Sequence, residues 1–431
     1  MFLVTSSARA LDFVELLGVG ELPLALAVGD LDRNGWSDLA TADNGSGSVS
    51  LLFGFAPLAF RPRVQFPLGA RPSDLDLGDL DGDGYPDFAV ALVNRDVVDV
   101  FFFRPASGVT TGGRLDVGTG PAAVELADLD GDGRLDVLCA NTFDGSISVY
   151  LGRDGGTFVG LGEFVTGAEP DPGPVALGIG DLNGDRIVDL AVANQLEDSV
   201  SLFFGGGGGA FVPGDTIPAP VLPSALAVGD LSGDGVEDLV VASEAEDQVR
   251  IFFGDGAGGI AGEAVLLTGG VPQAVALGDL DGNGTTDLVT ADSFDDAVSV
   301  FLSAGSGSFE PRRRFRVGRS PIDVVLADLD RDGRLDIVTA NLDGNNLSIL
   351  RNTGDFRPPL GDLDADGTVD DRDVALLVRE LFDGDGDLRD FVRRGTVRSS
   401  AMADANLDGF LGAADLVAAI LYGVDASAPG D

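Results

Sequence analysis

Hydrophobic and polar positions along the chain follow a grammar that recurs. In one unit, Ser73 to Leu80 alternates small and apolar residues, a polar nine-residue stretch follows, Asp87 to Leu92 is apolar, and Val97 to Phe103 is rich in β-branched and aromatic residues. Period-two alternation and short apolar runs bounded by Gly and Asx turns predict β-strands. A fourth run reaches the start of the next unit, so each unit holds four short strands. The polar stretch that marks the register begins at Asp79, with relatives beginning at Asp30, Asp128, Asp181, Asp230, Asp279 and Asp328, at separations of 49, 49, 53, 49, 49 and 49 residues. Seven such units mean a repeat architecture. Four strands per unit, joined by Gly and Asx turns, predict a mainly β fold, a seven-bladed β-propeller.

The polar stretch carries candidate chemistry. Asp79, Asp81, Asp83 and Asp87 occupy its first, third, fifth and ninth places, and Tyr85 offers a backbone carbonyl at the seventh. A hard cation that takes six to eight oxygen ligands requires such a set, so the stretch reads as a calcium loop.

Charge and composition change the picture in three ways. The formal net charge of -44 is concentrated in loops: 24 acids fall in the seven repeats and 8 in two C-terminal loops, leaving 39 against 27 basic residues. Every basic residue is Arg and there is no His, which removes the commonest general base and zinc ligand. Cys139 is the sole cysteine, so internal disulfides and thiolate clusters are excluded, and its place in an apolar run predicts an inert core thiol. No apolar run is long enough to span a membrane. Calcium sites of micromolar or weaker affinity fill reliably outside the cell, so an extracellular or cell-surface location is expected, although Met1 to Ala10 lacks the features of a secretory signal.

The recurring Gly-Asp-Leu-Asp-Gly-Asp-Gly-x-x-Asp-Leu, with Phe-Gly pairs such as Phe53-Gly54, Phe204-Gly205 and Phe253-Gly254, resembles the FG-GAP or VCBS repeats of integrin α-subunit propellers and bacterial surface proteins. The resemblance covers roughly Leu11 to Thr353. It implies that each calcium loop joins the innermost strand of a blade to the second strand. Carried over repeat by repeat, it implies ligands Asp30, Asp32, Asn34 and Asp38 with the Trp36 carbonyl, then Asp79, Asp81, Asp83 and Asp87 with that of Tyr85. The third set is Asp128, Asp130, Asp132 and Asp136 with Arg134, and the fourth is Asp181, Asn183, Asp185 and Asp189 with Ile187. The fifth is Asp230, Ser232, Asp234 and Asp238 with Val236, the sixth Asp279, Asp281, Asn283 and Asp287 with Thr285, and the seventh Asp328, Asp330, Asp332 and Asp336 with Arg334. The fourth loop has Arg186 where the others have Gly, and the fifth has Ser232 in place of a carboxylate; these two are expected to bind most weakly.

The ends of the repeat array imply how it closes. The seventh unit lacks room for a fourth strand before Pro358-Pro359, whereas Leu11 to Val19 matches the segment that precedes every other loop. The N-terminal segment is therefore expected to supply the outer strand of the seventh blade. The run Gly205 to Gly209 aligns with hairpin turns, and Arg312-Arg313-Arg314 reads as an exposed edge guarded by charge.

Beyond Thr353 a second grammar begins. Asp362, Asp364, Asp366, Thr368, Asp370 and Asp373 fall at places 1, 3, 5, 7, 9 and 12 of an EF-type loop, followed by helical spacing over Val374 to Phe382. Asp404, Asn406, Asp408, Phe410, Gly412 and Asp415 repeat it, with water in the ligand place at Gly412, before helix-prone Leu416 to Leu421. The pair resembles a type I dockerin over about Gly361 to Gly423, which implies a cohesin partner contacted through Asp371, Arg372, Ala413 and Ala414. A generic EF-hand pair is the alternative. The implied organisation is a propeller over 1–353, a Pro-containing linker over 354–360, the dockerin-like pair over 361–425 and a tail over 426–431.

These features point to a secreted, non-catalytic binding or scaffold protein with up to nine Ca2+ ions, whose propeller recognises a glycan or protein. The loops joining strands two and three carry Asn44, Asn94, Asn141, Asn194, Asp292, Asp295, Asn341 and Asp343, a ring of groups suited to sugar hydroxyls, or else turn caps. The alternatives are a polysaccharide lyase or glycoside hydrolase, for which no carboxylate pair stands out, and a purely structural adhesion module. No nucleic-acid partner fits so acidic a chain.

Overall fold

The computed structural model describes residues 11–167 and 172–354. They form seven four-stranded antiparallel sheets, arranged as a seven-bladed propeller. Blade one contains Pro23–Gly29, Asp38–Asp43, Ser48–Leu52 and Val64–Pro67, in that order from the centre outwards. The inner strands of blades two to seven are Pro72–Gly78, Pro121–Ala127, Pro174–Gly180, Pro223–Gly229, Pro272–Gly278 and Pro321–Ala327. Each touches the inner strands before and after it, and that of blade seven meets that of blade one, so the ring is complete. Every inner strand starts on Pro, where the missing N–H costs no ladder bond because a register shift follows at once.

The second strands show why their sequences are continuous apolar runs. Asp38–Asp43, Asp87–Leu92, Asp136–Asn141 and their four counterparts are buried at every position, because both faces of each sheet pack against a neighbouring blade. Among the described residues, each of the seven junctions between blades holds its own apolar cluster. Phe88 anchors the cluster between blades one and two, and Val338 and Leu39 meet in the cluster between blades seven and one. Cys139 is fully buried between blades two and three, where burial pushes its thiol far above the ordinary range. It is an inert packing group.

Closure follows the expected route. Leu11–Gly18 pairs antiparallel with Asn346–Asn352, Leu11 opposite Asn352 and Gly18 opposite Asn346, as the outer strand of blade seven. Leu11 is buried in the cluster between blades six and seven.

The glycine run forms a turn, with the Gly206 N–H donating to the Ala210 carbonyl at 2.7 Å. The arginine triplet meets its expectation in place and departs from it in exposure. Arg313 is buried and pairs with Glu310 at 2.8 Å, while Arg312 donates to the Thr268 carbonyl and Arg314 to that of Asp295 at 2.6 Å. Arg313–Arg316 is the outer strand of blade six, so the triplet does stand at a sheet edge, but its guanidinium groups turn to Glu310 and to two carbonyls and none of the three side chains is fully exposed. Among the described residues no helix is long and apolar enough to cross a membrane. The linker and the dockerin-like pair lie outside the described residues.

Candidate metal loops and the face opposite them

All seven Asp-rich loops join an inner strand to a second strand, and each is folded by its own carboxyl groups. The first-place carboxylate accepts the N–H of the sixth residue, from Gly35 to Asp30 at 2.7 Å through Gly333 to Asp328 at 2.9 Å. The fifth-place oxygen accepts the N–H of the seventh in every loop. The ninth-place aspartate is the buried post of each loop. One of its oxygens takes an N–H from the loop's second or third residue, and the other takes the N–H sixteen residues on, at the end of the third strand. Asp136, for example, accepts from Leu129 at 2.8 Å and from Gly152 at 2.7 Å. This ladder wraps the backbone so that side-chain oxygens turn inward.

The sixth place lies in the left-handed region, with φ between 82° and 90° at Gly35, Gly84, Gly133, Gly235, Gly284 and Gly333. Arg186 adopts the same region at φ 66°, so the fourth loop keeps the common turn at a steric cost.

Five loops bring three carboxylates within 4.8 Å of one another: Asp30, Asp32 and Asp38; Asp79, Asp81 and Asp87; Asp128, Asp130 and Asp136; Asp279, Asp281 and Asp287; and Asp328, Asp330 and Asp332. The loops with Asn183 and Ser232 at the third place do not bring three acids together in this way. Burial pushes the carboxyl groups of Asp38 and Asp87 up to about 7, and those of Asp287 and Asp336 up to about 6. Neighbouring aspartates add to the rise, and N–H donors oppose it. Such groups gain from a nearby positive charge.

The residues fit a cation. Oδ1 of Asp30 and Oδ1 of Asp181 are buried without a hydrogen-bond partner. In three other loops an arginine supplies positive charge: Arg104 contacts Asp81 and lies 2.7 Å from Asp83, Arg153 lies 3.1 Å from Asp130, and Arg351 lies 2.6 Å from Asp330. The carboxylates of several loops could thus hold metal ions.

Three sets of residues were not singled out in the sequence. Glu237, at the eighth place of the fifth loop, reaches the fourth loop and accepts the Asp181 N–H. Burial, and then the charges of Asp181, Asp189 and Asp230, push its carboxyl upward. An acid at a place uncharged in every other loop was the available signal. The second set lines the centre of the ring. Asp74 accepts the Val124 N–H at 2.7 Å, Asp76 that of Leu126 at 3.0 Å, and Asp323 that of Leu26 at 2.7 Å, each bridging to the next inner strand or across the closure junction. Burial pushes Asp74 up to about 8 and Asp323 up to about 6. Glu125, among them, is raised well above the carboxylate range by burial and by Asp76, Asp74 and Asp323.

The third set ties blades together on the opposite face. Asp96, Asp198, Asp247, Asp296 and Asn345 sit in left-handed turns, which Asp and Asn tolerate. Their side chains accept the N–H of Gly120, Leu222, Val271, Ser320 and Leu22 at 2.8 to 2.9 Å, each the residue before the next blade's proline.

The ring of amides and acids proposed for sugar hydroxyls is largely consumed internally. Asn141, Asn194, Asp292 and Asn341 are fully buried and bond serine hydroxyls of the third strands, as Asn141 does to Ser146 and Ser148 at 3.0 Å. Asn44 donates to the Pro72 carbonyl and Asn94 accepts the Arg71 N–H. The buried four therefore tie second strands to third strands, Asn44 and Asn94 cap turn backbone, and Asp295 and Asp343 accept from Arg314 and Arg319 through their carbonyls.

The FG-GAP-like repeat family matches residues 18–90, 128–192, 181–241, 230–290 and 279–339, more than half of the chain. The chain belongs to the FG-GAP-like repeat proteins. No curated protein matches it. Among solved structures, this FG-GAP-like propeller resembles BBS1N in a complex with ARL6DN, at 14% identity and a TM-score of 0.60 over 80% of this chain and 97% of that one. It also resembles virginiamycin B lyase from Staphylococcus aureus, at 12% identity and TM-score 0.53 over 80% and 99%. A protein from Lactobacillus plantarum matches at 17% and 0.54 over 72% and 89%. At such identities the likeness is one of fold.

Proposed function

We propose that this FG-GAP-like protein is a calcium-loaded, non-catalytic binding or scaffold module of the cell exterior. Its propeller binds a protein or glycan, and residues 361–425 form a dockerin-like pair that docks to a cohesin. The five carboxylate triads within 4.8 Å carry the reading. The side chains of the first, third, fifth and ninth places, with the seventh carbonyl, would hold Ca2+ in each propeller loop. Bound there, the ion supplies positive charge among carboxylates that otherwise repel. The loops at Asp181 and Asp230 are the weakest, and with the two C-terminal loops the complement reaches nine.

A binding role is supported by the fold shared with a propeller crystallised in a protein complex. The non-catalytic reading is supported by composition. The chain has no histidine, the commonest general acid–base residue. The test is a thermal melt of the full chain in calcium and in excess chelator. Saturation of even one site at a hundred times its Kd contributes about 2.7 kcal/mol, so the melt should move by several degrees. Identical melts would overturn the reading. Retention of the full chain on a cohesin column, only with calcium, tests the C-terminal assignment.

A further inference from the structure

The face opposite the metal loops is not uniform around the ring. At the same place in the turn between second and third strands, blades three, four and six carry Phe143, Leu196 and Phe294, which are 67%, 64% and 82% exposed. They are seated, because a glycine of the adjoining turn lies beneath each. A Cβ on Gly120 would come within 2.4 Å of the Phe143 ring, one on Gly173 within 2.7 Å of Leu196, and one on Gly270 within 3.2 Å of Phe294. Blade five reverses the arrangement, with Ala245 in that place and Leu222 of the adjoining turn exposed, and blade one, apart from the others, does the same with Gly45 and Leu22. Nothing in the fold demands large exposed apolar groups at turn tips, and four on consecutive blades form a patch of the kind that marks an interaction site.

The turn tips of the same arc carry charge of one sign. The turns at 142–145, 195–198, 244–247 and 293–296 hold eight acids, among them Glu244, Glu246, Asp295 and Asp296, and no basic residue. At the outer rim Arg314 is occupied with the Asp295 carbonyl. Arg316, exposed at the end of blade six's outer strand opposite Ala297, is a positive charge at the rim of this arc, and the other exposed arginines of the face, Arg71, Arg95 and Arg319, lie on blades two and seven. Between the two halves lies a depression of about 360 Å³ lined by Leu24, Val93, Phe143, Gln273 and Ile322. An apolar centre with a charged rim is the anatomy of a protein interface.

We propose that this arc, over blades three to six, docks a basic segment of a partner protein that also carries apolar side chains. The inference rests on the binding-module reading and names the chemistry of its ligand. The acids steer a positive segment to the face, and Phe143, Leu196, Leu222 and Phe294 supply the apolar contact that holds it.

The test uses the calcium-saturated full chain and a fluorescent dodecapeptide of alternating Leu and Arg, followed by anisotropy, with Ser/Arg and Leu/Glu counterparts. The Leu/Arg peptide should bind, and the two counterparts should bind weakly or not at all. Phe143→Ser with Phe294→Ser should weaken binding about tenfold or more, and Glu244→Gln with Glu246→Gln should weaken it and flatten its salt dependence. Unchanged binding in both variants would overturn the proposal, as would equal binding of the Ser/Arg peptide. Displacement of the peptide by a neutral oligosaccharide would also overturn it, assigning the arc to a glycan. If calcium raises the melting temperature and no peptide binds, the docking inference alone falls and the calcium-loaded module stands.

Discussion

The guanidinium of Arg331 lies 4.2 Å from the centre of the Trp36 ring, across the junction where blade seven meets blade one. Arg33 repeats the contact one blade on, 5.4 Å from the centre of the Tyr85 ring. Each arginine comes from the fourth place of one Asp-rich loop and reaches the seventh residue of the next. Gly35 makes room, since a Cβ there would come within 2.1 Å of the Arg331 guanidinium. The other five loops have Gly in the fourth place, so these clasps mark the two junctions around blade one. A double-mutant cycle of Arg331→Ala and Trp36→Ala should give a coupling of about 0.5–1 kcal/mol. Additive losses would mean that the ring and the guanidinium do not interact in solution.

The outer strand of blade seven is a second place to test closure. Deleting residues 1–18 uncovers the backbone of Asn346–Asn352 and removes Leu11 from its cluster. Size-exclusion chromatography should show self-association, and the melting temperature should fall. A monomeric deletion variant with an unchanged melt would contradict the assignment of the strand.

Asp74 gives the pH dependence a local origin. Its folded value, about 8, is raised by burial above the ordinary 3.8. The protonated carboxyl therefore contributes stability that is fully present below about pH 4 and is lost as pH rises through 8. The stability difference between the wild type and Asp74→Ala should shrink across that window in chemical denaturation series. A difference that grows with pH would mean that Asp74 is held as a stabilised anion.

In the second loop an arginine would compete with the proposed calcium. Arg104 contacts Asp81 and Asp83 and lies 3.6 Å from Asp87, all proposed ligands. The guanidinium is partly exposed and its pairs are screened, so Arg104→Gln should raise the calcium affinity of that loop modestly, about two- to fivefold. The same change should lower the melting temperature in chelator. Calorimetric titration distinguishes this from the opposite case, a fall in affinity, in which Arg104 would be building the site.

Much of this architecture is legible in the chain because repetition multiplies weak local signals. The single loop at Asp79 is indistinguishable from a solvated turn, but seven at nearly constant spacing mark out the blades and the place left for the N-terminal strand, while the strands that each loop joins come from the family resemblance. What repetition hides is the exception. Asp74 and Asp323 stand where five other inner strands have Ala, and Glu237 stands where other loops have uncharged residues; aligning the units averages them away. The ties from Asp96, Asp198, Asp247, Asp296 and Asn345 run between units, and a period read within units does not reveal them. The ring of amides and acids is open to two readings for a related reason: the same polar residue types cap strand ends and bind sugars, and only burial distinguishes the two.

The pairing of Leu11 with Asn352 also sets a timetable. The strand Leu11–Gly18 is made before all seven blades and cannot find its place until the last of them has been made. At about 5–20 residues per second that wait is roughly 20 to 70 seconds. Throughout it a β-prone segment, Leu11 to Gly18, stays without its neighbour, and every nascent copy on a polysome exposes the same adhesive edge. The link that fastens the finished ring is thus, during synthesis, the part of the chain most in need of a chaperone.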